Sequence, residues 1–333
     1  MKNGAFVISL DFELLWGVFD VVDYKKKVEY FENTRKFVPL VLKSFEQYGI
    51  HATWAVVGML FNDSWEEWKS NYPAETPSYN NPSLSAYRFG ESIISSKTKD
   101  LVFAPQLIQQ IKETPGQEVG THTYSHYYCR EQGQRKEEFA LDLHKALEVA
   151  KKLNIKLSSL VFPRNQFKVE YLKICMDMGI KNVRSNPVSW YWQDTQSISF
   201  STRLFRSGDA YLPFGKKTYS ISEIPLKSGL PVEQMASRFF RPVEGNWFLR
   251  KLKLERIKNE MTMAAKNQEI YHLWWHPHNF GDCPAESLID LNLILDHFYD
   301  LQKKYDFQTA NMEEIGEYIT IEKSHRHARI LGN

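Results

Sequence analysis

Short apolar runs recur along this chain, each followed by a longer stretch whose apolar residues fall on a helical period. That alternation restricts the fold more than any other feature, because strands joined by crossover helices must pair in parallel. The pattern predicts strands over 5–10, 51–58, 118–121, 157–163, 181–186, 220–226 and 269–276. Helices are expected over 30–48, 104–113, 134–153, 169–178, 244–266 and 286–305, the first carrying Phe31, Phe37, Val38, Val41, Leu42 and Phe45 on one face. Residues 307–319 read as a last strand turning into a helix. About seven or eight β/α units in 333 residues favour an α/β fold that closes as a distorted (β/α) barrel over an open sheet. The whole chain, 1–333, reads as one barrel domain without internal repeats.

Residues 62–103 break the rhythm. They are polar, rich in Pro, Asn and Ser, and dotted with Trp65, Trp68, Tyr72, Tyr79 and Tyr87. A structureless connection of that length is unusual, so the segment is expected to be an ordered cap or long loop over the barrel mouth, its rings available to stack on a sugar. The end of the chain, 322–333, is basic and reads as a flexible, solvated tail, with His325 and His327 lacking companion ligands.

Forty-two Lys and Arg against forty Asp and Glu leave a formal charge of +2, too weak a field to imply nucleic acid. No apolar run is long enough to span a membrane. The N-terminal apolar stretch is short and ends in an acid, which fails as a signal peptide, and three widely spaced cysteines argue against a disulfide framework. A cytoplasmic setting is the expectation.

Chemistry concentrates where predicted strands end. In "AFVISLDFELLWG" (5–17), strand alternation puts Asp11 and Glu13 on one side and Phe12 on the other, with Cα atoms about 6.5 to 7 Å apart. These acids could share a site, or one could cap a loop and the other pair with a lysine of "YKKK". In "EVGTHTYSHYY", His122 and His126 fall on one face if 121–126 turns into a helix. Two imidazoles plus one carboxylate, Glu13 or Asp11, make an open three-ligand metal site. Arg164 in "FPRNQF" could orient a carboxylate through paired hydrogen bonds. His276 in "LWWHPHNFGD" is a candidate general acid, flanked by Trp274, Trp275 and His278.

Together "SLDFE", "HTYSH", "FPRNQF" and "WWHPH", in this order, resemble the successive motifs of the polysaccharide deacetylase (NodB homology) family, carbohydrate esterase family 4. "HATWAVVG" is similar to that family's second strand. The resemblance spans residues 5 to 318 apart from the 62–103 excursion, and implies a distorted barrel and a metal-dependent hydrolase. It assigns Asp11 as general base, Glu13, His122 and His126 as ligands of a divalent metal, Zn²⁺ by preference, Arg164 as the group that orients Asp11, and His276 as the acid that protonates the leaving amine. The N–H of Phe167 is expected near the oxyanion. Trp190, Trp275 and His278 are candidate substrate contacts.

The sequence departs from the family pattern in places. Phe12 stands where many members have a second aspartate, so the ligand slips to Glu13; Asn165 and Gln166 replace the third motif's prolines; the fourth motif has no clean match beyond Trp190 and Trp192. The implied substrate is an N-acetylated amino sugar, and the expected compartment points to a glycan precursor rather than a wall polymer. A deformylase, a cyclic-amide hydrolase and a catalytically idle carbohydrate-binding barrel are the alternatives. A glycosidase built on Asp11 and Glu13 would leave the histidines unexplained.

Overall fold

The computed structural model describes residues 3–193, 199–243 and 245–331, with side chains to residue 322. Nine strands lie in one sheet: β1 (Ala5–Phe12), β2 (Ala52–Val56), β3 (Gln117–Thr121), β4 (Ser159–Val161), β5 (Asn182–Ser185), β6 (Val232–Met235), β7 (Arg238–Phe239), β8 (Ile270–Trp275) and β9 (Gln308–Ala310). Their order is β6-β5-β4-β3-β2-β1-β8-β7, with β9 beside the start of β1. All the strand pairings are parallel, as crossover helices require.

The two ends of that order meet in the chain itself. Ala236 N–H donates to Ser185 O and Ser237 N–H to His272 O, so one extended segment leaves β5 and joins β8 within two residues. The sheet thus curls into a distorted (β/α) barrel. β1 is buried along its whole length, which explains why it reads as an unbroken apolar run.

The helices wrap the outside. Val28–Tyr48 buries Phe31, Phe37, Val38, Val41, Leu42 and Phe45, and Gly49 ends it in the left-handed conformation at φ 62°. Helices Pro105–Glu113, Lys136–Lys152, Trp247–Asn267 and Pro284–Tyr305 fall close to their expected positions. No described helix is long and apolar enough to cross a membrane.

Three expectations are corrected. Residues 220–226 form no strand: Ser220 caps a short turn, Ile221–Glu223, and the strand comes later as β6 and β7. That segment, "VEQMASRF", is interrupted by Glu233, Gln234, Ser237 and Arg238 and so lacks an apolar run. Residues 62–103 form helices Trp65–Ser70, Ala86–Ser92 and Lys99–Val102, whose rings turn inward. Trp68 stacks on Trp16 at 5.9 Å and meets Trp65 and Tyr72 edge-on, and Tyr87 is buried against them, so these rings build a small core instead of a sugar platform. Tyr79 accepts a hydrogen bond from Tyr128 N–H at 2.8 Å. Lastly, helix Met312–Leu331 runs through most of the expected tail; residues 332–333, and the side chains of His325 and His327, lie outside the described part.

Candidate active site

Asp11 and Glu13 stand where β1 ends, at the face of the barrel onto which the C-terminal ends of all its strands open. Phe12 turns the other way and packs edge-on against Trp54. Leu14 follows at φ 48°, a left-handed conformation that folds the chain into the turn Leu14–Gly17 directly beneath the Glu13 carboxylate. A Cβ on Gly17 would lie 1.6 Å from Glu13 Oε2, so only glycine leaves room for that carboxylate.

The two histidines come together without a helix. Residues 122–128 form an irregular turn in which Thr123 and His126 take positive φ, 62° and 58°. The path is fixed from both sides: His122 N–H donates to Val56 O, while Gly58 and Met59 N–H donate to Thr123 O and Tyr124 O. Gly58 is required there, since a Cβ would meet Tyr124 at 2.7 Å. From behind, the buried Asp142 carboxylate accepts from Tyr124 N–H at 2.7 Å and from the Ser125 N–H and hydroxyl. Burial pushes the Asp142 carboxyl up to about 6.

This turn aims both imidazoles at one atom. His122 Nε2 lies 3.0 Å and His126 Nε2 3.4 Å from Glu13 Oε1, with all three residues buried. Neither approach has hydrogen-bond alignment, and both Nε2 atoms are left without a protein partner. Buried polar atoms are rarely orphaned, and two ring nitrogens converging with a carboxylate oxygen within 4.8 Å are a donor set that suits a divalent cation. Burial lowers the His126 imidazole to about 4, keeping it neutral as a ligand must be. Burial opposes ionisation of Glu13, yet the histidines around it, His276 foremost, outweigh burial and hold the carboxyl well below its usual range.

Beside this triad, Asp11 is gripped by an arginine from β5. Arg184 Nη1 donates to Asp11 Oδ1 at 2.7 Å and Nη2 to Oδ2 at 2.6 Å. Nη1 also donates to Ser9 Oγ and Nη2 to Asn165 Oδ1, Nε keeps no hydrogen bond, and the guanidinium lies over the Trp274 ring at 4.4 Å. Burial would raise the Asp11 carboxyl; Arg184 outweighs it and keeps the acid ionised below the ordinary value. His276 Nε2 sits 3.6 Å from both Asp11 Oδ2 and Glu13 Oε1, and its side chain, 22 % exposed, carries the site to solvent. Its Nδ1 is held by the Asn279 amide at 3.2 Å.

The family model for polysaccharide deacetylases matches residues 19–183, the stretch that holds the His122–His126 turn. The chain belongs to the polysaccharide deacetylase family. Among solved structures, a Mycobacterium smegmatis protein assigned to the polysaccharide deacetylases is 13 % identical, with a TM-score of 0.58 over 97 % of this chain and 92 % of that one. The PuuE allantoinase (10 % identity, TM-score 0.51, 94 % and 88 % covered) has a similar fold. So does a GH57-type branching enzyme from Pyrococcus horikoshii (13 %, 0.51, 94 % and 70 %). At these identities the likeness concerns the fold alone. No curated protein shows significant similarity to the chain.

Several residues singled out by the deacetylase motifs stand elsewhere. Arg164 does not reach Asp11: after Pro163, Arg164 and Asn165 both take positive φ (54° and 51°), which throws the guanidinium over the Tyr128 ring and onto Asp20, at 2.5 Å. Asn165 is turned inward by the same bend, and Arg184 occupies the place expected of Arg164. The Phe167 N–H is spent on Asn165 O at 2.8 Å. Trp275 is a fully buried core residue packed against Phe45, Phe240 and Phe280. Trp190 is exposed and packs on Tyr191 and Phe205; it is Trp192 that touches Trp274. His278, by contrast, joins the site: its ring stacks on His276 with centroids 5.1 Å apart, its Nδ1 is 3.8 Å from Glu13 Oε2, and burial lowers it to about 3.

Proposed function

We propose that this protein is a metal-dependent N-deacetylase of an amino sugar, acting on a precursor of a larger glycan. The observation that carries this reading is the convergence of His122 and His126 on one oxygen of Glu13, next to a separate carboxylate, Asp11, kept ionised by Arg184. Glu13, His122 and His126 would hold the cation, and Zn²⁺ suits two imidazoles and a carboxylate. When bound, such an ion polarises an acyl oxygen and lowers the pKa of water from about 15.7 to about 7.

The chain's own residues divide the proton work. Asp11 is ionised and hydrogen-bonded on both oxygens, which fixes its orientation while leaving lone pairs to take a proton from an attacking water. Arg184 blocks that carboxylate from rotating away. His276, opposite Asp11 at 3.6 Å and at the solvent opening, is placed to give a proton to the departing amine. His278 is buried and uncharged, so it supports the His276 ring without competing for the proton. Water attack and amine departure give acetate and a free amino sugar.

The test combines metal analysis with a substrate panel. The purified protein is expected to carry about one equivalent of divalent metal and to release acetate from an N-acetylated amino sugar, with a strong chelator abolishing and added Zn²⁺ restoring turnover. Release of formate from N-formyl sugars, or opening of a cyclic amide, in place of acetate would move the reading to the other amide hydrolases. Undiminished turnover in a His122→Ala, His126→Ala double variant would sink it.

A further inference from the structure

The grip on Asp11 continues past Arg184 into the barrel interior. Ser9 precedes Asp11 by two residues on β1, so strand alternation turns both side chains to the face that meets Arg184 of β5. Arg184 Nη1 divides its two hydrogens between Asp11 Oδ1 at 2.7 Å and Ser9 Oγ at 2.9 Å, and Nη2 divides its own between Asp11 Oδ2 and Asn165 Oδ1. Ser9 and Asn165 thus flank Asp11 and fix the guanidinium in its own plane. On its other side, Ser9 Oγ lies 2.8 Å from Nε2 of His272 in β8. Ser9, Asp11, Arg184 and His272 are all buried.

A hydroxyl carries one hydrogen and two lone pairs. If Ser9 aimed its hydrogen at Arg184, two donors would face each other and Nη1 would lose its flanking acceptor. Nε2 of His272 is the acceptor that draws this hydrogen away. Burial, aided by the nearby Arg184 charge, lowers the imidazole to about 3, so the ring is neutral and one of its nitrogens has a lone pair to offer. Nδ1 makes no aligned hydrogen bond, but the Met235 carbonyl attracts the proton that the ring carries. The His272 backbone is pinned as well, its N–H donating to Ser237 Oγ at 2.9 Å and its carbonyl accepting from Ser237 N–H at 2.8 Å. We infer that His272 is a positioning residue: its Nε2 takes the Ser9 hydrogen, which turns the Ser9 lone pairs to Arg184 and sets how Arg184 presents Asp11. The consequence for catalysis rests on the role of Asp11 proposed above.

The experiment uses the full chain as wild type and as the His272→Phe, His272→Gln and Ser9→Ala variants. Phenylalanine keeps a flat ring without an acceptor, whereas glutamine returns a side-chain oxygen to the neighbourhood of Nε2. His272→Phe is expected to lower kcat by about 10–100-fold with KM and metal content unchanged, and His272→Gln to recover most of that loss. Ser9→Ala should cost about as much as His272→Phe, and the double variant no more than either, since both cut one chain of hydrogen bonds. Ser9→Ala, the smaller change, carries the kinetic test if His272→Phe does not fold. Losses that multiply in the double variant, an equal loss in His272→Gln and His272→Phe, or full activity in Ser9→Ala overturns the proposal. Nitrogen NMR of histidine-labelled protein reads the chain without turnover: Nε2 of His272 should resonate as an unprotonated nitrogen in wild type and shift in Ser9→Ala. A protonated Nε2, or no shift, overturns the proposal. A wild type that hydrolyses no amide rejects the deacetylase reading, and the NMR result then still decides the role of His272 toward Ser9 and Arg184.

Discussion

The two ends of this barrel handle polar groups in opposite ways. At the end where the strands begin, buried polar side chains tie the strands to the last helix, although Gln234 Oε1 and Ser159 Oγ keep no hydrogen bond. Thr53 donates to Glu118 at 2.6 Å and accepts from Met312 N–H, and Glu118 also accepts from Glu313 N–H. Gln234 donates to Met312 O and Asn182, and Asn311 and Glu314 cap the same helix start reciprocally. The last helix is thereby plugged into the barrel floor with a carboxylate at its positive N-terminus. At the end where the strands finish, His122, His126 and His278 keep ring nitrogens without hydrogen bonds. Five non-glycine residues there, Leu14, Thr123, His126, Arg164 and Asn165, take positive φ, while Asn154, Gln268 and Asp306 do so at ordinary helix ends. Such conformations cost about 1–3 kcal/mol each where the surroundings impose them. One end is built for stability; the other gives stability up to hold buried acids and imidazoles in one arrangement.

The sharpest way to break that contrast is His276→Gln. Loss of the proposed proton donor should lower kcat/KM by about 10²–10⁴, and the partly exposed position should leave thermal unfolding within a few degrees of wild type. Steady-state kinetics beside a melting curve checks both. A collapse in stability with normal turnover per folded molecule would show that the mouth is a structural end after all.

A matched pair of glycines gives the next test. Gly17 sits against Glu13 at the mouth, and Gly316 against Asn182 at the floor, where a Cβ would lie 1.7 Å from the Asn182 amide oxygen. Gly17→Ala must displace the Glu13 carboxylate, so bound metal and kcat/KM should fall by about 10–100-fold with little change in melting temperature. Gly316→Ala should do the reverse. Alanine favours the helix by about 1 kcal/mol, but the overlap breaks the Asn182–Gln234 contact and costs about 1–3 kcal/mol, visible as a lower denaturant midpoint at unchanged turnover.

The contrast also explains what could be read from the sequence. β1, β2 and β8 are flanked by strands and covered by helices, so they appear as apolar runs; the acids and histidines that interrupt those runs at their ends stand out. Arg184 did not, because nothing next to it in the chain announces a site. The signal was there in alternation: Asn182 and Arg184 share the face of β5 opposite Val183, and an arginine facing a barrel interior needs a buried anion, which Asp11 supplies. His272, in the middle of β8 with Nε2 2.8 Å from Ser9 Oγ, was hidden in the same way. Arg164 misled for the converse reason, since its motif was visible but the two left-handed residues that turn it outward were not. The helix face expected for His122 and His126 is not formed; an irregular turn brings the two rings together instead.

The smallest effect tests the floor alone. His51, just ahead of β2, places Nδ1 2.8 Å from the Glu314 carboxylate of the last helix. That hydrogen bond outweighs partial burial and raises the imidazole above its usual 6.5. A group that holds its proton more tightly folded than unfolded contributes its full stability below pH 6.5 and loses it as pH rises through the elevated folded value. Both side chains are 39 % exposed, so solvent screening keeps the contribution well under about 1 kcal/mol. Denaturant midpoints measured from pH 5.5 to 8.5 should therefore fall slightly more in wild type than in His51→Gln, with turnover per folded molecule the same in both. If His51→Gln instead changes the pH profile of turnover, the two ends of the barrel are coupled through β2, and the division of labour between them fails.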